Sequence, residues 1–287
     1  MQKRRDFIKA AGFFGGCVAL NPVNAFGLNN QHLVTKPFGI QLYTLRDIII
    51  GKEEETIKSL ASFGYTQLES YEGPKGVYWG MSPSTFKNFT EDLGIKMIST
   101  HCDVYADFEK KVEEAASIGL KYLICPWVGP QKSIDDFKKI AAQFNEKGDL
   151  CKKYGIRFAY HNHDYSFKSM NGIYPQDILM KETDSNLVDF EMDLYWTRVA
   201  KVDPLAYMDQ FPNRFKLVHV KDLIKADTPE GHESCVIGKG TIDYKTLLPE
   251  VAKRGVAHMI VEQEHYTGTN ELDAARDDAA YVKTLKW

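Results

Sequence analysis

The chain has no run of about 18 apolar residues, so no part of it reads as a membrane-spanning helix. It has no block of basic residues, and its net charge of -3 argues against a nucleic-acid partner. Its five cysteines follow no zinc-ligand spacing and make no dense disulfide framework. Cys102 and Cys125 fall near the ends of neighbouring expected strands, where a disulfide or two buried thiols would both fit. No glycine-rich phosphate loop follows the first expected strand; Leu42-Tyr43-Thr44-Leu45-Arg46-Asp47 stands there instead. That removes the usual mark of a doubly wound nucleotide-binding sheet. Linkers and low-complexity tracts are also missing, which leaves one large α/β domain as the economical reading of the length.

The first 25 residues read as an export signal rather than as part of the fold. Lys3-Arg4-Arg5-Asp6-Phe7-Ile8-Lys9 looks like a twin-arginine motif, a modestly apolar stretch runs from Ala10 to Leu20, and Val23-Asn24-Ala25 offers small residues for cleavage. A periplasmic destination is therefore expected. Cys17, after Gly15-Gly16, is a candidate lipid-attachment cysteine, although the apolar run before it is short.

From about residue 36 to Trp287, strand-like and helix-like patterns alternate. Expected strands are Phe38–Tyr43, Tyr65–Glu69, Ile95–His101, Tyr122–Trp127, Arg157–His161, Leu187–Asp193, Phe215–Val220 and His258–Glu262, each followed by a helix-sized segment. Ser133 is placed to cap a long helix reaching about Lys153, and Pro204 suits a first helical turn. A polar excursion covers Ala226–Gly240. Eight such units over about 250 residues predict a single-domain (β/α)8 TIM barrel.

Four of the strands end in oxygen or nitrogen donors: His161-Asn162-His163, Glu191-Met192-Asp193, His219-Val220-Lys221-Asp222 and Glu262-Gln263-Glu264. In a parallel barrel the carboxyl ends of the strands converge on one point. One such residue alone is ordinarily a hydrogen-bonded strand end or a loop cap, but four in succession point to a mixed N2O2 metal site. Imidazole and carboxylate donors suit Mn²⁺, Co²⁺, Mg²⁺, Fe²⁺ or Zn²⁺ better than Ca²⁺. The strand period of two puts His161 and His163 on one side, and Glu262 and Glu264 likewise, so the pattern leaves both choices open. Asn162 and Asp222 are candidates for supporting the ligands.

The segments Gln41–Asp47, Gly64–Glu69, His101, His161–His163, Asp193-Leu194-Tyr195-Trp196, His219–Asp222, Gly238-Lys239-Gly240 and Val261–Glu264 together resemble the xylose-isomerase-like barrel superfamily, often labelled sugar phosphate isomerase/epimerase. The resemblance runs from about Phe38 to the C-terminus. It implies metal ligands at His161, Asp193, His219 and Glu262, and places Lys221 and Trp196 near the substrate. Keto-sugar epimerases of that family carry glutamate where His161 stands here. The histidine looks more like the branch with inosose dehydratases and enzymes that eliminate across 3-oxo-glycosides.

Both branches share deprotonation of a C–H beside a carbonyl, with the resulting enediolate stabilised by a divalent cation. Glu264, His163 and Lys221 are the candidate catalytic residues, Glu264 having the best placement if Glu262 is a ligand. Lys221 beside a cation would hold its proton less firmly, or would simply form a salt bridge or donate to a substrate hydroxyl. Gln41, His101 and Trp196 are candidate sugar contacts, and Tyr43, Tyr105, Trp127 and Tyr195 could stack on a sugar ring. The expected function is a metal-dependent sugar isomerase or epimerase, with a lyase or dehydratase acting on a 3-oxo-glycoside or inosose as the alternative. The expected partner is a small-molecule carbohydrate, and a homo-oligomer is left open. A phosphodiesterase, since the superfamily also holds an abasic-site nuclease, and a non-catalytic sugar-binding barrel are rival classes. Export favours an unphosphorylated sugar or glycoside, because free sugar phosphates are cytoplasmic metabolites.

Overall fold

The structure is a computed structural model and describes residues 36–287. The twin-arginine motif, the cleavage segment and Cys17 lie outside the described residues. In chain order the elements are β1 (Gly39–Gln41), α1 (Glu53–Phe63), β2 (Gln67–Tyr71), α2 (Pro83–Asp92), β3 (Lys96–His101), α3 (Phe108–Ser117), β4 (Tyr122–Cys125), α4 (Ile134–Lys153) and β5 (Arg157–His161). They continue with α5 (Pro175–Glu182), β6 (Val188–Asp193), α6 (Leu194–Val199), α7 (Pro204–Gln210), β7 (Phe215–Val220), β8 (Asp222–Lys225), β9 (His232–Cys235), α8 (Tyr244–Lys253), β10 (His258–Val261) and α9 (Glu271–Val282). Strands β1 to β7 and β10 pair in parallel, each with its neighbour, and β10 closes the ring onto β1. This is the expected eight-stranded barrel. No helix among the described residues is long and apolar enough to cross a membrane.

Local chemistry explains where the helices begin. Ser82 caps α2 by accepting from the Thr85 N–H at 3.2 Å, with Pro83 in the first turn. Ser133 caps α4 by accepting from the Asp136 N–H, as its position in the sequence predicts, and Asp135 and Asp136 lie where the helix dipole favours negative charge. Helix α4 approaches the sheet closely at Gly148, where a Cβ would meet the Leu187 carbonyl oxygen at 2.6 Å. Any side chain there would push α4 away from the start of β6.

Two features differ from the sequence expectation. The polar excursion holds the second strand of a two-stranded antiparallel hairpin, β8 with β9, which begins at Asp222 directly after β7 and lies outside the barrel sheet. After β6 there are two short helices, α6 and α7, where one was expected. The break falls at Lys201, which adopts positive φ, and at Asp203, which caps α7 through the Leu205 and Ala206 N–H groups. The described cysteines are free thiols, with Cys102, Cys125 and Cys151 buried.

Asp222, expected to support a metal ligand, serves the loop after the hairpin instead. Its buried carboxylate accepts from the N–H groups of Leu223, Gly238, Gly240 and Ile242 at 2.8–3.0 Å. Gly238 has φ +87, and a Cβ there would lie 2.3 Å from the Tyr281 ring; one on Gly240 would lie 2.3 Å from Asp222 Oδ1. Space excludes a side chain at both places, and at Gly238 the positive φ adds a backbone reason. Asp222→Ala would leave four amides without their acceptor, and we expect it to destabilise the fold by on the order of 3 kcal/mol in denaturant titrations. A change within experimental error would show that water replaces the carboxylate.

Candidate metal centre and active site

Strand parity and register bring the polar side chains together inside the barrel. Register pairs His161 with Glu191, Asp193 with His219 and Glu69 with Ser99, so these residues are lateral neighbours. Earlier on the strands, Ile124, Ala159 and Leu217 cluster with Ile98 in an apolar plug. Beyond that plug lies a polar layer of Glu69, Ser99, His101, Glu191 and His219. His161, Asp193, Glu262 and Lys221 follow at the carboxyl ends. Asp193, His219 and Glu191 are fully buried, and Lys221 is 1% exposed.

His219 joins the two levels through its two ring nitrogens. Nδ1 lies 3.1 Å from Glu262 Oε2 and 3.8 Å from Asp193 Oδ2. Nε2 lies 2.7 Å from Glu69 Oε1 and 3.3 Å from Glu191 Oε2. His161 Nε2 is 3.4 Å from Asp193 Oδ2, so His161, Asp193 and His219 form one group within metal-binding span, with Glu262 beside it. Four tetrahedral donors around a first-row cation are about 3.4 Å apart, given metal–ligand distances near 2.1 Å. The observed separations scatter around that value.

Glu69, His101, Glu191 and His219 also lie within metal-binding span. Their mutual hydrogen bonds separate the two groups. His101 Nε2 meets Glu191 at 2.8 Å and Glu69 at 3.1 Å, and Gln41 Nε2 and Ser99 Oγ donate to Glu69 at 2.7 and 2.5 Å. In the upper group both ring nitrogens of His161 and Oδ2 of Asp193 are sealed from solvent without a hydrogen-bond partner, against one such atom, Glu191 Oε1, in the lower group. Buried polar atoms are rarely left unpaired. Their convergence makes the upper group the better fit for a divalent cation.

The charge states of His161, Asp193 and Glu262 agree with that assignment, whereas His219 would have to release a proton on binding a cation. Burial holds the His161 imidazolium down, leaving a neutral ring able to ligate. Burial opposes ionisation of Asp193, but Lys221, His161 and His219 outweigh it and keep the carboxyl well below its usual range. Glu262 is likewise held down by Lys221 and His219 against its burial. His219 is held protonated by Glu191 and Glu262 against burial, and His101 is pushed up to about 9 by Glu69 and Glu191, again against burial. Burial and the charge of Glu69 raise Glu191 to about 7.

These histidines fix a pH dependence for the metal-free protein. A group whose folded pKa is raised contributes stability below its unfolded value and loses that contribution as pH rises through the folded value. For His101 the window runs from 6.5 to about 9. We expect the chelator-treated protein to unfold at progressively lower temperature across this interval. A flat or rising profile in calorimetry would contradict the buried imidazolium–glutamate pairs.

The remaining predicted residues surround this core. A cavity of about 280 Å³ opens at the carboxyl ends of the strands, lined in part by His101, His161, His163, Glu262 and Glu264. Tyr43 and Trp127 flank it and are 38% and 52% exposed. His163 packs edge-on against Trp127 at 4.5 Å and beside Trp196 at 5.4 Å; burial and the neighbouring His161 keep it neutral. Lys221 contacts Glu264 and lies 3.3 Å from Glu262 Oε2 and 3.9 Å from Asp193 Oδ2. Burial works to strip its proton, but the three carboxylates prevail and hold the ammonium charged. Trp196 donates its backbone N–H to Asp193 Oδ1 at 3.0 Å, and its ring lies 5.1 Å from Lys221 Nζ. Gln41 is buried beneath the cavity, its amide engaged by Glu69 and by the Tyr43 N–H.

Sequence reasoning assigned no role to Glu69 or Glu191. Glu69 was expected to end the second strand and Glu191 stood beside the candidate ligand Asp193; in the structure β2 runs on to Tyr71, so both carboxylates sit inside their strands, one level below the proposed ligands. The available signal was parity: Asp189, Glu191 and Asp193 share one side of β6.

The chain matches the family described as Xylose isomerase-like TIM barrel over residues 57–285. It is 23% identical over 257 residues to an inosose dehydratase of Lacticaseibacillus casei, covering 75% of this chain and 84% of that protein. An inosose dehydratase of Clostridium beijerinckii is 26% identical over 160 residues, about half of each chain. A sugar phosphate isomerase/epimerase from Parabacteroides distasonis superposes with a TM-score of 0.74 at 26% identity, covering 88% of this chain and 95% of that one. With its closed barrel and the family match spanning most of its length, the chain belongs to the xylose isomerase-like TIM barrel family.

Proposed function

We propose that this protein is a divalent-metal-dependent enzyme that removes a proton from the carbon beside a carbonyl of an oxidised sugar or cyclitol and expels the oxygen substituent on the next carbon. The observation that carries the reading is the set of orphaned, buried donors on His161 and Asp193 next to His219 and Glu262. These four residues would hold the cation. Bound there, it would act as a Lewis acid toward the substrate carbonyl and adjacent hydroxyl.

The groups around the core supply the proton transfers. His163, neutral and in the cavity wall, accepts the carbon-bound proton, with Glu264 as the second candidate. Lys221, a full ammonium, donates to the departing oxygen. The electron pair of the broken C–H bond becomes the new C=C bond, and the C–O bond breaks with its electrons on the leaving hydroxyl or alkoxyl. Epimerisation requires a base on each face of the carbon. His163, two residues beyond β5, and the charged Lys221, directly after β7, fit one base and one acid better, and inosose dehydratases among the relatives support elimination. Isomerisation or epimerisation is the second reading, favoured by Glu264 as a further base and by the isomerase/epimerase from Parabacteroides.

The cavity favours a neutral substrate. Its wall carries Glu72, Asp103, Glu262 and Glu264 and no lysine or arginine, and the lysines behind it are already engaged, Lys111 by Glu72 and Lys221 by Glu262 and Glu264, so the lining offers a phosphate group no lysine or arginine. We also propose export by the twin-arginine route, on the strength of Arg4-Arg5 and the residues after them. Fractionating cells that express an Arg4→Lys, Arg5→Lys double variant tests that route.

The decisive assay offers Mn²⁺-loaded protein an inosose, a 3-oxo-glucoside and a free ketohexose in deuterated water. We expect an unsaturated ketone from one of the first two and activity lost on thorough chelation. Deuterium incorporation into recovered substrate without unsaturation would favour the epimerase reading. Full activity after chelation would refute the metal.

A further inference from the structure

We infer that Glu69 is a positioning residue that takes the Nε2–H of His219 and thereby turns Nδ1 of that ring toward the metal site. The inference rests on the proposed metal centre and concerns a residue that does not touch it.

An imidazole offers a metal either nitrogen, and the hydrogen bond on the other nitrogen decides which. His219 Nε2 meets Glu69 Oε1 at 2.7 Å, while Nδ1 faces Asp193 and Glu262. Glu69 cannot turn away from this contact. It is fully buried on β2, its Oε1 also accepts from Gln41 Nε2 at 2.7 Å, and its Oε2 accepts from Ser99 Oγ at 2.5 Å. The three supports come from β1, β3 and β7, so the carboxylate is held from both neighbouring strands and from across the barrel. Oε1 and Oε2 are thus both engaged as acceptors by side-chain donors, which presents Oε1 to Nε2 of His219.

The stacking of His101 on His219, with centroids 5.4 Å apart and planes 16° from parallel, blocks a ring flip from one side. Gln41, at the end of the first strand, then acts two hydrogen bonds away from the cation rather than on the sugar.

The test is spectroscopic. Protein labelled with ¹⁵N-histidine is loaded with ¹¹³Cd²⁺, and the Cd–N coupling shows which nitrogen of His219 is bound. We expect coupling to Nδ1, and a slowly exchanging, downfield Nε2–H resonance in both the metal-free and the loaded protein. Glu69→Gln should lose that resonance and bind Cd²⁺ about 10–100-fold more weakly in chelator competition. Coupling to Nε2, or unchanged affinity and an unchanged Nε2–H signal in the variant, would overturn the inference. If Glu69→Gln does not fold, Gln41→Leu strips one support, and both readouts should shift in the same direction by a smaller factor; no shift would overturn it. Wild-type protein that takes up no Cd²⁺ would sink the metal reading. The Nε2–H signal of the metal-free protein would then decide the role of Glu69 alone: present in wild type and lost in Glu69→Gln supports it, absent in wild type overturns it.

Discussion

Replacing Asp193 by alanine should lower turnover by about 10³-fold or more and leave the purified protein without stoichiometric metal. Asp193 stands between three partners: Oδ2 lies 3.4 Å from His161 Nε2, 3.8 Å from His219 Nδ1 and 3.9 Å from Lys221 Nζ. Its other oxygen receives the Trp196 N–H that starts α6. The loss therefore combines a missing ligand, two donors left facing an empty position, and a helix start without its cap. Asp193→Asn separates these effects, because the amide oxygen can still cap α6 while the ligand charge is gone. Asn should retain most of the stability lost in Ala yet remain as poor a catalyst. Turnover within tenfold of wild type in both variants, or an unchanged metal content by elemental analysis, would reject the assignment.

The second large effect concerns Lys221. Lys221→Met keeps most of the side-chain volume but removes the cation among Asp193, Glu262 and Glu264. Removing one partner of a buried ion pair typically costs about 3–5 kcal/mol, because the remaining charge has lost its compensation. We expect a loss of that order in the metal-free protein. The loss should shrink when Mn²⁺ or Zn²⁺ is added, since a divalent ion supplies positive charge at the same carboxylates. Denaturant titrations with and without chelator measure both quantities. A Lys221→Met protein as stable as wild type in chelator would mean that the three carboxylates are already protonated or hydrated. A metal-independent loss would mean that the cation does not bind beside them.

The two variants probe residues whose legibility in the sequence had one cause. Each closes an apolar run, and a polar residue directly after such a run is conspicuous. The same contrast marked β5 at Arg157–His161, where strand and expectation share both ends. Ser133 was legible for another local reason, since a capping hydroxyl before two aspartates has few other uses. What stayed hidden depended on contacts distant in sequence. Glu69 and Glu191 are charged residues within strands, and only closure of the barrel shows that both strand faces are buried. Asp222 gave no sign that four amides up to twenty residues later would claim it. The hairpin strand β9, His232–Cys235, was unreadable because neither face of it is strongly apolar, so no alternation of period two could emerge.

That hairpin bears on how such a protein can change its rim. Its far end, from Ala226 to Gly231, is exposed or half-buried. Its base is anchored by Ser234 Oγ, which accepts from the N–H groups of Glu264 and His265 at 2.9 and 3.0 Å. Insertions or deletions at the tip would leave that anchorage in place, whereas a change at Ser234 would disturb the backbone that carries Glu264. Evolution can thus lengthen, shorten or recolour the exposed end while the backbone of Glu264 keeps its station, a division of labour by which one barrel can vary its rim without disturbing its centre.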